Sequence, residues 1–298
     1  MTRPDWFVLL NPHAGRDAAS RADVEAAFAR HGVGAHVTTT RSVDHLRSVV
    51  ADEIRRGTRR FAVVGGDGTA HHALNAMLKP ESAPSKDLML SIIPSGSGSD
   101  FIRTFGHARG LDAGVARLRQ PDPYRIDIGQ VTGSFGKVYF LNALNVGVAA
   151  ASAAAASRLP RRLGPKRYAI GFWLALARFQ QGSITANIDR HTFTGEAINV
   201  VVANGQFFGG GMNVAPRATL TDGLFDVQVF QGPRRRAFSV MPRVITGSHL
   251  THAAVRRYIG SDVHLAIPDD WPVEADGEML GTGAVQAATI PSAIDFIA

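Results

Sequence analysis

Three short segments concentrate residue types suited to holding phosphate: Asn11-Pro-His-Ala-Gly15, Gly65-Gly-Asp-Gly-Thr69 and Pro94-Ser-Gly-Ser-Gly-Ser-Asp100. Glycine lets a backbone turn sharply and approach a ligand closely, and consecutive N–H groups at a helix start form a nest for anions. Any one of these segments reads equally well as a simple turn. All three directly after apolar runs point to a polyphosphate cradled by backbone amides. Two carboxylates accompany them: Asp67 lies between two glycines, and Asp100 stands where a helix would open, a position that an N-cap residue also fills. Carboxylates beside a phosphate loop suit Mg2+, which takes one or two of them together with phosphate oxygens and water. No Gly-Lys-Ser or Gly-Lys-Thr occurs, and no Gly-x-Gly-x-x-Gly joins a first strand to its helix, so neither the P-loop nor the dinucleotide fingerprint is present.

The elements that must position these loops are legible in the hydrophobic periodicity. Trp6–Leu10, Val33–Thr39, Phe61–Val64 and Leu88–Ile93 read as strands. Val24, Ala27, Phe28 and His31 recur at helical spacing, which predicts a helix over Asp17–His31, and Val43, Leu46, Val50 and Ile54 stripe another. Strands alternating with helices predict a parallel sheet with binding loops beyond the strands' carboxyl ends. From about Tyr124 the period changes to two. Ile184, Ala186 and Ile188 alternate, Gly195 marks a turn, Ile198–Ala203 returns as a strand, and Phe225, Val227 and Val229 alternate again. The expected fold class is α/β plus β: a Rossmann-like α/β domain over residues 1–123, rejoined by 288–298, and an antiparallel β-sandwich-like domain over 124–287. Helical insertions are expected at Ala149–Gln181 and Arg236–Tyr258.

Composition narrows the function classes. The 298 residues are 45% hydrophobic and 19% charged, which fits two packed cores and excludes disorder, collagen and coiled coil. Cysteine is absent, so disulfides, thiolate metal sites and thiol nucleophiles are excluded. The apolar run Trp6–Leu10 is too short for a signal-peptide core and no stretch reaches bilayer-spanning length, from which a cytoplasmic protein is expected. The net charge of +7 favours anionic partners, but only four of the 32 basic residues are lysine; the arginine excess reads as compositional bias, and no specific nucleic-acid binding is expected.

The ordered motifs Asn11-Pro12-x-x-Gly15, Gly65-Gly-Asp-Gly-Thr69, Pro94-x-Gly-Ser-x-Ser-Asp100, Asp222-Gly-Leu-Phe-Asp226 and Asp276-Gly-Glu278 resemble those of the diacylglycerol kinase catalytic superfamily, which includes bacterial lipid kinases and sphingosine and ceramide kinases. The resemblance spans nearly the whole chain. It implies an ATP- and Mg2+-dependent lipid kinase with an N-terminal nucleotide domain, a β-rich substrate domain and a final segment that returns to the first. By this resemblance Asn11, Pro12, His13, Ala14 and Gly15, then Gly65, Gly66, Asp67, Gly68, Thr69, Ala70 and His71, together with Thr40, Ser97 and Asp100, contact the nucleotide. Asp67, Asp100 and Glu278 would hold the catalytic Mg2+. Asp222, with the carbonyls of Thr219 and Leu224, would hold a structural one. Asn204 and Gly209-Gly-Gly211 resemble a glycine-rich crossing of the family. Asp276 would be the general base and Glu278 the metal or nucleotide partner, although two carboxylates on one short turn can exchange roles. Asp67 joins them as a catalytic residue. Ser97 and Ser99 depart from the family's threonine and asparagine; Ser97 keeps the hydroxyl, whereas Ser99 loses the amide.

Two further features bear on the acceptor. Arg158, Arg161, Arg162 and Gly164-Pro-Lys-Arg-Tyr168 precede the apolar helix to Ala177, which suits peripheral docking of a lipid kinase on an anionic membrane and equally a helix packed between domains. His71 and His72 follow the glycine loop and fit a helix better than a metal site. A soluble kinase of the NAD-kinase kind shares Gly-Gly-Asp-Gly-Thr, and a catalytically silent nucleotide- or membrane-binding protein is the non-enzymatic alternative. A homodimer remains open.

Overall fold

The computed structural model describes residues 5–14, 18–78, 87–95, 99–106, 110–164 and 166–298. Gly15, Ser97 and the start of the helix expected from Asp17 fall outside them. The fold is α/β plus β, in two compact units: Met1–Ile126 with Ser292–Ala298, and Asp127–Pro291.

In the first unit, β1 (Trp6–Leu10), β2 (Ala35–Thr39), β3 (Arg60–Gly65) and β4 (Met89–Pro94) form a parallel sheet in the order β4-β3-β1-β2. The last residues of β17 (Val285–Ile297) pair in parallel with β4, so the chain's end completes this sheet. β1 and nearly all of β3 and β4 are buried, as expected for strands covered on both faces. The crossover helices are α1 (Arg21–Arg30), α2 (Val43–Arg55) and α3 (Asp67–Leu78). Ser20 caps α1 in a reciprocal capping box with Asp23, which is why this helix begins at Arg21. Ser42 caps α2 by accepting from His45 N. Two shorter helices, α4 (Asp100–Arg103) and α5 (Leu111–Leu118), follow β4.

β5 (Tyr124–Gly133) and β6 (Gly136–Phe140) form a hairpin. The second unit's antiparallel sheet continues with β7 (Ala143–Gly147), β8 (Gly182–Ile188), β9 (His191–Ala203), β12 (Phe225–Gln231), β13 (Val255–Gly260), β14 (Asp262–Ala266), β15 (Pro272–Ala275) and β16 (Glu278–Thr282). The short strands β10 (Phe207–Phe208) and β11 (Met212–Asn213) flank the three glycines 209–211, all with positive φ. The core gathers Phe140, Val200, Phe225, Val263, Trp271 and Val273. Helices α6 (Val148–Ser157), α7 (Lys166–Arg178) and α8 (Ala237–Thr246) pack outside it.

Two expected boundaries are corrected. Gly195 lies inside β9, paired with Ile184, and the turn falls instead at Asp189-Arg190. Asp189 takes φ of 46° there and its carboxylate accepts from Ser261 N and Asp262 N, so an aspartate performs the task assigned to glycine. The insertion expected to be helical to Tyr258 ends at Gly247, left-handed at φ 75°, and 255–260 pairs with β12 as a strand.

Candidate active site

The loops after β1, β3 and β4 leave three adjacent parallel strands at their carboxyl ends, and the structure ties them together. Asn11 Nδ2 donates to Thr69 Oγ1 at 2.8 Å, joining the first loop to the first turn of α3. His13 N donates to Asn11 Oδ1 at 2.9 Å, an Asx turn that shapes the exposed Pro12-His13 corner. Gly65 is required by this packing, because a Cβ there would stand 2.9 Å from Thr69 Oγ1. Gly66, Asp67 and Gly68 are partly exposed at the opening of α3, where a helix presents backbone N–H groups without intrahelical partners.

Asp67 links the second loop to the third. Its Oδ2 accepts from Asp100 N at 2.8 Å and its Oδ1 from Phe101 N at 3.3 Å, so it serves α4 as an N-terminal acceptor. That arrangement sets Asp67 and Asp100 side by side. Asp100 is buried, with Oδ1 3.3 Å from Arg103 Nε. Among the described residues no group of three or more histidines, aspartates or glutamates could cage a metal. Two neighbouring carboxylates without a closed cage fit Mg2+ that arrives with phosphate oxygens and water. Thr40, just past β2, is buried and donates its hydroxyl to Leu10 O at 3.0 Å, which buttresses the first loop. Ala70 and His71 face inward on α3, and Asn75 Nδ2 donates to His71 O at 2.9 Å. The neighbouring His72 has its pKa lowered to about 4, mainly by desolvation, with His71 and Arg47 adding positive charge nearby.

In the second unit, β15 and β16 are joined by Asp276-Gly277, both with positive φ (52° and 92°), the two-residue turn that Asp-Gly favours. The Asp276 carboxylate accepts three backbone N–H groups: Leu141 on Oδ2 at 2.8 Å, and Asn142 and Ala143 on Oδ1 at 2.8 and 3.2 Å. The carboxylate is thereby fixed in direction. Glu278 opens β16, partly buried, on the far side of the turn. A residue that the sequence did not single out, Glu274, supports the hairpin from within. It is buried, accepts from Asn145 Nδ2 at 2.8 Å and from Gly277 N, and faces Asn145 across the β7–β15 ladder.

The Asp222 turn lies elsewhere in this unit. Asp222 is exposed, and its Oδ1 accepts from Leu224 N at 3.0 Å. Thr219, Asp222 and Leu224 line one small cavity together with Arg217, Asp226 and Arg257. Asp226 is committed to Arg257 Nε at 2.6 Å, so Asp222 is the carboxylate of this lining that stands outside that ion pair. Asp127, also missed in the sequence, organises the turn: buried, it accepts from Gly223 N at 2.6 Å on Oδ2. Asn204 is fully buried and donates to the carbonyls of Asp127 and Leu141 at 2.9 and 2.7 Å, so it braces the strand ends beside both turns.

Comparison with known proteins assigns both units to one family. Residues 5–131 match the diacylglycerol kinase catalytic domain family, and residues 142–298 the YegS C-terminal NAD kinase beta sandwich-like domain family. The chain is 30% identical to a "Probable lipid kinase YegS-like" of Shewanella frigidimarina (strain NCIMB 400), over 86% of this chain and 81% of that one. It is 25% identical to the diacylglycerol kinase of Mycobacterium tuberculosis (strain ATCC 25618 / H37Rv), over 97% and 93% of the two chains. A crystal structure of a diacylglycerol kinase from Bacillus anthracis str. Sterne shares the fold at a TM-score of 0.72 and 17% identity, covering 100% of this chain and 98% of that one.

Proposed function

The chain belongs to the diacylglycerol kinase family of lipid kinases, and from that premise we propose that it transfers the γ-phosphoryl group of ATP, with Mg2+, to the hydroxyl of a diacylglycerol-like or other lipid alcohol. The observation that supports the nucleotide half is the pair of links Asn11–Thr69 and Asp67–Asp100, which tie the described residues of three strand-end loops of one parallel sheet together as the walls of the proposed cradle. Asn11, Pro12, His13, Ala14, Gly65 to Thr69 and Thr40 belong to that cradle or its support. Gly15 and Ser97 complete the motif in sequence.

When bound there, Mg2+ supplies positive charge against the phosphates; Asp67, Asp100 and Glu278 are its proposed holders, and Asp222 with the carbonyls of Thr219 and Leu224 would hold a second, structural ion. The chain's own part in the chemistry is orientation. As the lipid oxygen forms its bond to the γ-phosphorus and the bond to the leaving ADP oxygen breaks, the hydroxyl proton passes to the Asp276 carboxylate. Phosphoryl transfer through a loose transition state depends more on positioning than on a strong base. A carboxylate aimed by three backbone N–H groups meets that demand.

The test is transfer from radiolabelled ATP in the presence of a total lipid extract, with NAD as a separate acceptor. Label in the organic phase, identified as a phosphorylated lipid by mass spectrometry, is expected. Label on NAD alone would overturn the lipid reading.

A further inference from the structure

Two helices of the second unit leave apolar side chains in solvent on neighbouring faces. Ile170, Trp173 and Leu174 project from α7 at spacings of three and four, and Phe238 and Ile245 from α8 seven apart, so each set occupies one helix face. The two sets meet. Trp173, 41% exposed, stacks on Phe238, 66% exposed, with ring centroids 4.8 Å apart and planes at 27°. Arg234 Nη1 donates to Ala177 O at 2.8 Å, fastening the lead-in of α8 to the last turn of α7. Beneath them Leu176 and Ala237 pack with Val148 and Ile198, so the aromatic pair sits on a fixed base.

The charge on the two helices and the segments that lead into them has one sign. Residues 128–188 and 227–261 contain no aspartate or glutamate but thirteen arginines and lysines, more than the +7 of the whole chain, so the remainder is net acidic. Lys166 and Arg178 at the two ends of α7, and Arg235, Arg236 and Arg243 around α8, are all exposed. An apolar ridge on two helices whose own charged residues are all cations is complementary to an anionic bilayer surface, where rings lodge among acyl chains and guanidinium groups meet lipid phosphates.

We propose that the α7–α8 face, with the Trp173–Phe238 stack as its inserted wedge, docks this kinase onto an anionic phospholipid leaflet. The choice of a leaflet as occupant rests on the lipid-kinase reading. The docking itself is measurable without catalysis.

Trp173 makes the test specific, because the other two tryptophans, Trp6 and Trp271, are buried. With vesicles of equal phosphatidylglycerol and phosphatidylcholine, tryptophan emission is expected to shift to the blue and to be quenched by lipids brominated on their acyl chains. Pure phosphatidylcholine vesicles are expected to leave it unchanged. Phe238→Asp should abolish both signals, and Arg235→Ala/Arg243→Ala should weaken vesicle partitioning by roughly 10- to 30-fold at low salt. Both variants lie on exposed positions and should phosphorylate detergent-dispersed lipid at the wild-type rate, so an inactive wild type counts against the kinase reading and not against the docking face. Vesicle binding with unmoved tryptophan emission, or undiminished binding by both variants, would overturn the proposal. So would a concentration-dependent dimer that Phe238→Asp dissolves while vesicles are ignored, since the face would then belong to a second copy of the chain.

Discussion

Replacing Asp276 by asparagine separates the two things that its carboxylate does. The backbone is not the obstacle, because asparagine accepts a left-handed conformation such as the 52° φ found here. The loss lies in the acceptor set. With its carbonyl at the Oδ1 position, asparagine keeps the bonds from Asn142 N and Ala143 N but as neutral bonds, weaker than charge-assisted ones by about 1 kcal/mol in total. Its amide group then points donor to donor at Leu141 N, which stood 2.8 Å from Oδ2, and a backbone N–H left unsatisfied costs about 1–3 kcal/mol. The expected destabilisation is about 3 kcal/mol, or a fall in Tm of roughly 6–12 °C for a protein of this size. Thermal unfolding followed by circular dichroism at neutral pH reads this directly. A fall of less than 2 °C would refute the view that residues 141–143 are held by the Asp276 carboxylate.

Other expectations follow from the same geometry. Gly65→Ala should push Thr69 Oγ1 off Asn11 and weaken binding of a non-hydrolysable ATP analogue roughly 3- to 10-fold, the worth of one hydrogen bond, measured by isothermal titration. His72 is depressed to about 4 in the fold against 6.5 unfolded, so below pH 6.5 the unfolded chain takes up the proton first. Stability should therefore fall as pH drops from 6.5 towards 4, by at most about 1.4 kcal/mol per pH unit from this group, and denaturant titrations of His72→Gln should show a shallower slope in that window. Asp222→Ala should lower the Tm and abolish any rise of Tm with added Mg2+; an undiminished Mg2+ response would remove the structural ion from this turn.

Much of the first unit was legible because its signals are local. Apolar runs, closed by Asn-Pro after β1 and leading into glycine after β3 and β4, identified these strands, and the loops behind them carry the proposed cradle. What the carboxylates touch was not legible. Asp67 accepts from residues 33 and 34 positions away, and no local pattern encodes that pairing. Glu274 and Asp127 were passed over because a lone acidic residue in an alternating strand normally faces solvent. Each is instead buried by a partner that the register supplies, Asn145 across the ladder for Glu274 and Gly223 N at the turn for Asp127. Gly195 misled for the converse reason: a glycine inside a strand resembles a turn, while the turn at Asp189 rests on a side chain capping distant amides.

The division of labour between Asp276 and Glu278 is the claim on which the catalytic account rests, and paired measurements on Asp276→Asn and Glu278→Gln, made well below the melting temperature of each, test it most directly. ATP-analogue affinity and single-turnover transfer to lipid are read on both proteins. If Asp276 takes the proton and Glu278 serves the Mg2+-nucleotide, Asp276→Asn keeps near-native affinity while transfer falls ~10²-fold or more. Glu278→Gln then loses affinity together with rate. Two variants that transfer at wild-type rates would contradict the account and place the proton acceptor elsewhere.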